Sequence, residues 1–331
     1  MLRLATPIRS LALAALLLAV AGGAAAREHP AAAAPLFAIP DSELPRPLTF
    51  IAYGDIRFTD PAEIAASSPG VRRALIARIA VERPAALFVS GDLPWHGGTI
   101  ADYDVYRAET AVWRENGLRV FPALGNHEFA GCEEQQCLAN WWSAFPELSG
   151  RRWYAVALGS LVHALVLDSD ASLEVGSPQR AWLEAEFRSL PRSVRFVVLC
   201  LHHPPLADLA SGELADHNPR PNEMALADYL GGRAATSRAR IVVVAGHIHN
   251  YERLERDGVV YLVAGGGGAK PYPVERSSAD RFHGREAVNY HFIRFRLDDG
   301  RLSAEMVRLA DADAGRPGRF EVADRFELRS R

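Results

Sequence analysis

Residues 48–58 read LTFIAYGDIRF. The run Leu48 to Tyr53 is short, apolar apart from Thr49 and closed by a glycine, the pattern of a sheet strand covered on at least one face. A carboxylate, Asp55, follows at the strand's carboxyl end. Apolar runs that end in polar, metal-type residues return as ALFVSGD at 86–92, RVFPALGNHEF at 119–129, VRFVVLCLHHPP at 194–205 and IVVVAGHIHN at 241–250. Leu161 to Leu167 is another run of this type. Between the strands, Val71, Leu75, Ile76 and Ile79 recur at helical spacing, as do Trp182, Leu183 and Phe187 behind Pro178, and Ala101 to Glu115 is a third candidate helix. This alternation predicts an α/β layered domain. Beyond Gly246 the pattern changes: Val259 to Ala264, His291 to Leu297 and Leu302 to Leu309 read as strands, the last two joined at Asp299-Gly300 as an antiparallel hairpin. With no fixed-period repeat and no Pro/Gly/Ser-rich linker, one mixed-sheet domain over residues 48–331 is the simplest organisation.

Metal-type side chains stand at the strand ends. They are Asp55, Asp92, Asn126 with His127, His202 with His203, and His247 with His249. An isolated Gly-Asp is usually a turn and a lone histidine usually packs or faces solvent. Five coincident cases at strand ends differ, because active sites of α/β layers sit beyond the carboxyl ends of strands, where segments distant in sequence meet. Carboxylates, an amide oxygen and imidazoles make a mixed N/O set suited to Zn, Mn, Fe or Co, without the thiolates of a soft site. Two carboxylates, one amide oxygen and three imidazoles, six ligands, exceed one tetrahedral centre, so two ions sharing a carboxylate are expected.

The rest of the composition narrows the class. The chain has 331 residues and a formal charge of −3 (37 basic, 40 acidic), with 49% hydrophobic residues, an ordinary globular balance. The basic residues are scattered, almost all arginine, with Lys270 the only lysine. Duplex nucleic acid is therefore not an expected partner. Residues 1–26 read as an export signal: Arg3 and Arg9, the apolar run Leu11 to Ala21, then Ala24-Ala25-Ala26 before Arg27. The run is shorter than the ~20 residues of a membrane span, so no stable anchor is expected after cleavage, and the protein is expected to be periplasmic or secreted. Residues 27–47, rich in Ala and Pro, read as an extended lead-in. Cys132 and Cys137, in what reads as a polar loop, suit a local disulfide in an oxidising compartment; a structural zinc site would need a second pair. Cys200 reads as a buried thiol.

The series Gly54-Asp55, Gly91-Asp92, Gly125-Asn126-His127-Glu128, His202-His203-Pro204 and Gly246-His247-Ile248-His249 resembles the calcineurin-like metallophosphoesterase superfamily, including its purple-acid-phosphatase branch. The resemblance runs from about residue 48 to 268. It implies a four-layer α/β fold, a central β-sandwich flanked by helices, and a dinuclear centre of divalent or trivalent ions (Fe, Mn or Zn) acting on a phosphorylated small molecule. By position, Asp92 is the bridging carboxylate, Asp55 and His249 complete the first metal, and Asn126, His202 and His247 hold the second. His202 is chosen over His203 because the ligand precedes proline by two. His127 is the implied acid or phosphate-binding group, and Glu128 its orienting partner. Two departures stand out: Arg57 replaces a first-metal histidine, and Trp95 stands where the purple branch has a tyrosine. Neither side chain is a normal ligand, but Arg57 is suited to clamp a phosphoryl oxygen, its alternative being a salt bridge to a neighbouring carboxylate. The expected activity is phosphomonoester hydrolysis, with a phosphodiesterase or nucleotide hydrolase, or a non-catalytic envelope binding protein, as alternatives. Among the remaining side chains, His96 and His203 are expected to line the pocket or the surface, His217 the surface, and Asp168 to support the site without ligating. Trp141, Trp142 and Trp153 are expected in the core or as a stacking platform, and Gly265 to Gly268 as a tight turn against the metal-bearing loop.

Overall fold

The structure, a computed structural model, describes residues 34–283 and 289–330; the proposed export signal at 1–26 lies outside them. The strands are β1 (Phe37–Ile39), β2 (Leu48–Tyr53), β3 (Ala86–Val89), β4 (Arg119–Pro122), β5 (Tyr154–Leu158), β6 (Val162–Val166), β7 (Phe196–Cys200), β8 (Arg240–Ala245), β9 (Tyr251–Arg256), β10 (Val259–Ala264), β11 (His291–Asp298), β12 (Arg301–Leu309) and β13 (Phe320–Arg329). The helices are α1 (Pro69–Glu82), α2 (Ile100–Glu109), α3 (Ala111–Glu115), α4 (Glu134–Ala144), α5 (Pro178–Ser189) and α6 (Pro221–Thr236).

The strands form two sheets, ordered β1-β5-β6-β7-β8-β10-β9 and β13-β12-β11-β2-β3-β4. Strands β6, β7, β8 and β10 of the first and β2, β3 and β4 of the second run parallel, and antiparallel β9 and β13 each close one edge. Side-chain alternation explains the layering. In β7 and β8, Val198, Cys200, Val242 and Val244 face the second sheet in the shared core, while Val197, Leu199, Ile241 and Val243 face Leu183 and Phe187 of α5 and Leu226 and Leu230 of α6. Both faces are covered, which is why these strands carry unbroken apolar runs. On the other side, Val71, Leu75, Ile76 and Ile79 of α1 and Trp113 of α3 pack on the second sheet, completing the expected four layers. Among the described residues no helix is long and apolar enough to cross a membrane.

Several expectations are corrected in detail. The helix drawn over 101–115 is two, broken at Thr110, whose hydroxyl donates to the Tyr106 carbonyl at 2.6 Å. The cysteine segment is not all loop: Cys137 lies in α4 and is bonded to Cys132 just before it. Trp141, one turn on from Cys137 and Leu138, packs in the core beside Phe145, the first of the two places expected for it. Part of the lead-in is structural, since β1 pairs in parallel with β5.

The segment after β10 is tied to the domain through buried carboxylates. Glu252 on β9 accepts from the Asp208 amide at 2.7 Å, Asp208 accepts from the Ser277 amide at 3.0 Å, and Asp280 pairs with Arg276. Burial raises the Glu252 carboxyl from 4.5 to about 8. The folded protein therefore keeps a proton that the unfolded chain has released between those values, and this group lowers stability as pH rises through that window, by about 1.4 kcal/mol per unit. Glu252→Gln, which carries no such proton, is expected to raise the melting temperature over the parent by more at pH 8 than at pH 5. Parallel melting curves at the two values decide it; an equal offset would contradict the assignment.

Candidate metal centre

The loops after β2, β3, β4, β7 and β8 meet at one end of the sandwich and are bonded to one another. The Asp55 amide donates to Gly91 O at 3.1 Å and the Gly246 amide to His202 O at 2.9 Å. The approach is close enough to require glycine. Gly91 has φ +84° and a Cβ there would stand 2.7 Å from the His202 ring, while at Gly246 it would stand 2.5 Å from Asp55 Oδ2. Asp55, Arg57, Asp92 and His247 all occupy the left-handed region, with φ of 59°, 55°, 53° and 69°. Non-glycine residues rarely adopt it, and such backbone clusters at functional sites.

Two groups of side chains converge there. In the first, the donor atoms of Asp55, Asp92 and His249 lie within 4.8 Å of one another, all three buried. His249 Nδ1 donates to Lys270 O at 3.0 Å, so its Nε2 carries a lone pair; that nitrogen is buried without a hydrogen-bond partner, 3.5 Å from Asp55 Oδ1. In the second, His202 Nδ1 donates to Ser90 O at 2.9 Å, leaving its Nε2 2.9 Å from Asn126 Oδ1 and 3.2 Å from both His247 Nδ1 and Asp92 Oδ1. Asp92 thus touches both groups. Burial lowers the affinity of these imidazoles for protons, to about 2 at His247 and about 3 at His249. Burial, then the charge of Asp92, pushes the Asp55 carboxyl well above its ordinary value. Lone pairs facing one another around a destabilised carboxylate could hold a cation, and their mixed N/O chemistry fits transition-metal ions.

The other expected residues fall around this core. His127 Nδ1 donates to Trp95 O at 2.6 Å, and its Nε2 lies 3.8 Å from Asp92 Oδ2. Glu128 does not orient His127 as expected. Its buried carboxylate accepts from the amides of Gly125 (2.7 Å), Leu93 (2.9 Å) and Asp92 (3.0 Å), clamping two loops together, because three unpaired N–H groups converge on it. Arg57 places Nη2 3.2 Å from Asp92 Oδ2 and its guanidinium 5.0 Å from the centre of the Trp95 ring. His203 is buried, its Nδ1 2.8 Å from Ser169 Oγ, and it groups with His202 and His247. His217 corrects the surface expectation: its ring lies 4.8 Å from that of His247 and 5.0 Å from that of Tyr272. Asp168 pairs with Arg152 at 2.6 Å, outside both groups. Tyr272, whose hydroxyl donates to His247 O at 2.9 Å, carried no sequence signal, since its place follows from the folding back of the segment after the glycines. Those glycines pack against the first loop, with the Gly267 amide donating to Gly54 O.

A family model described as calcineurin-like phosphoesterase matches residues 48–251. Among solved structures, a purple acid phosphatase from yellow lupin (Lupinus luteus) seeds is similar with a TM-score of 0.66 at 17% identity; the match covers 90% of this chain and 55% of the lupin chain, so this chain spans little more than half of that protein. A dimetal phosphatase from Danio rerio matches at 0.60 and 15% identity, over 86% of this chain and 100% of that one. GAP50, the anchor in the inner membrane complex of Plasmodium, matches at 0.59 and 14%, over 86% and 89%. At these identities the likeness is one of fold.

An ion that binds only the folded state stabilises it. Adding Mn or Zn to chelator-treated protein is expected to raise the melting temperature by about 5 °C near hundred-fold saturation. Asp92→Asn, which removes the carboxylate shared by both groups, is expected to abolish most of that rise. An equal rise in parent and variant would place the ion elsewhere.

Proposed function

The chain belongs to the calcineurin-like phosphoesterase family and is a metallophosphoesterase, and from that premise we propose that it hydrolyses phosphomonoesters at a dinuclear centre. Asp55, Asp92 and His249 would hold one ion, and Asp92, Asn126, His202 and His247 the other. The observation that carries this reading is the pair of buried donor groups joined through Asp92. When bound, the ions would neutralise phosphoryl charge and acidify a water. The chain's own residues do the rest. The Arg57 guanidinium, held beside Asp92, meets a phosphoryl oxygen as a fork of donors. His127, with its Nδ1 hydrogen committed to Trp95 O, has only Nε2 free to carry a proton to the departing ester oxygen. Water oxygen bonds to phosphorus, the ester P–O bond breaks, and its electron pair leaves on the oxygen that takes that proton.

The Cys132–Cys137 bond supports the reading of residues 1–26 as an export signal and of the remainder as a periplasmic or secreted phosphatase of small phosphorylated molecules. A second reading has its own observation. Arg57 already pairs with Asp92, so a centre in which this cation displaces the first ion would bind without turnover.

The test is to load the purified mature protein with Mn, Fe, Zn or Co and assay matched monoester and diester substrates while measuring bound metal. Two ions per chain with monoester turnover is the expected result, and one or none without turnover favours the second reading. Faster cleavage of the diester would replace the monoesterase assignment. Asn126→Ala and Asp92→Ala are expected to lower kcat/KM by more than about 10-fold with the fold retained by circular dichroism, Asp92→Ala at a lowered melting temperature because it strips the His127 amide and Arg57 of their acceptor. Arg57→Lys, which loses the fork, is expected to lower kcat or raise KM at unchanged metal content; parent kinetics in that variant would reduce Arg57 to a salt-bridging residue.

A further inference from the structure

We infer that Trp95 is the positioning residue of this site, its ring setting the orientation of both His127 and Arg57 toward the phosphoryl group. The inference rests on the phosphatase reading above and deepens it. Trp95 is itself fixed by the neighbouring loops. Its amide donates to Phe58 O at 2.9 Å and the Phe58 amide donates to Leu93 O at 2.7 Å, a short parallel bridge that ties the Arg57 loop to the Asp92 loop. From that position it makes three contacts with the reactive side chains. Its carbonyl accepts the His127 Nδ1 hydrogen at 2.6 Å. Its ring stacks on the His127 imidazole, with centroids 4.7 Å apart and planes within 23°. The same ring lies 5.0 Å from the Arg57 guanidinium carbon, within cation–π range.

The carbonyl holds the Nδ1 edge of His127, and the indole face, packed along the imidazole plane, restrains the tilt of the ring. Arg57 likewise has its Asp92 contacts at 3.2 and 3.4 Å on a single oxygen, Oδ2, which does not define the plane of the guanidinium. The aromatic face does. Without a flat ring at 95, both groups keep one anchor and lose their orientation. A catalytic arrangement loses rate steeply when its members are misdirected. The burden falls unequally on substrates, because an alkyl leaving oxygen needs its proton from His127 far more than a nitrophenolate does.

The experiment compares the metal-loaded parent with Trp95→Ala, Trp95→Leu and Trp95→Phe on an alkyl phosphate and on p-nitrophenyl phosphate, with orthophosphate affinity by calorimetry and bound metal alongside. Trp95→Leu keeps the volume without a flat face and serves where the alanine variant folds poorly. In the ringless variants kcat on the alkyl ester is expected to fall about 10-fold more than kcat on p-nitrophenyl phosphate, and the orthophosphate Kd to rise several-fold, at unchanged metal content. Trp95→Phe is expected to restore the ratio of the two esters to within about 3-fold of the parent. Parent-like ratios and phosphate affinity in the ringless variants would overturn the inference, as would a phenylalanine variant no better than leucine. A parent that turns over neither ester sinks the phosphatase reading itself, and Trp95 is then judged on orthophosphate affinity alone, where an unchanged Kd overturns it.

Discussion

A carboxylate with no exposure to solvent has to be compensated on every side, and among those buried in this way Asp92 is the one at which the loops of the site meet. Its Oδ1 accepts from the His127 amide at 3.0 Å and lies 3.2 Å from His202 Nε2, and its Oδ2 meets Arg57. Its own amide donates to Glu128. Loops that follow β2, β3, β4 and β7 are therefore held at fixed distances from a single side chain, and each must bend sharply to reach it. The left-handed backbone at Asp55, Arg57 and Asp92 and the close-packed glycines are the local cost of that convergence.

Glu128 performs the structural counterpart of this role. Three backbone N–H groups from the loops after β3 and β4 point at its buried carboxylate, so the geometry around Asp92 is maintained by a second acid that does not face the ligand groups. The positive side of the balance is supplied by Arg57 and, when bound, by metal ions. Burial disfavours charge on each of these groups, so His247 and His249 stay unprotonated and Asp55 is reluctant to ionise, and a bound cation would relieve that cost.

The layers around the site carry out a simpler task. Strands buried on both faces leave the chain few ways to pack, and the parallel centres of both sheets send their carboxyl ends to the same edge of the sandwich. The antiparallel additions, β11 to β13 on one sheet and β9 on the other, close the fold without contributing ligand groups. The segment after β10 folds back over the site, bringing Tyr272 against the His247 loop.

The strands that end in donor side chains were legible in the sequence because full burial imposes a continuous apolar run, and the donor residue that follows each run is local in sequence. The pairing of β1 was not, because it depends on β5, more than a hundred residues away, and neither the break at Thr110 nor the helical start of the Cys137 segment left a mark in the apolar pattern. The same division holds at the site. Residue types and order pointed to Asp55, Asp92, Asn126, His202, His247 and His249, since donor chemistry belongs to each side chain alone. Which atoms face one another belongs to the folded arrangement. Only there does Glu128 turn to backbone amides instead of His127, His217 reach the His247 ring, and Arg57, His127 and Trp95 meet as one unit. A side chain's chemistry is encoded at its own position, whereas its direction is decided by hydrogen bonds and packing from segments tens of residues away.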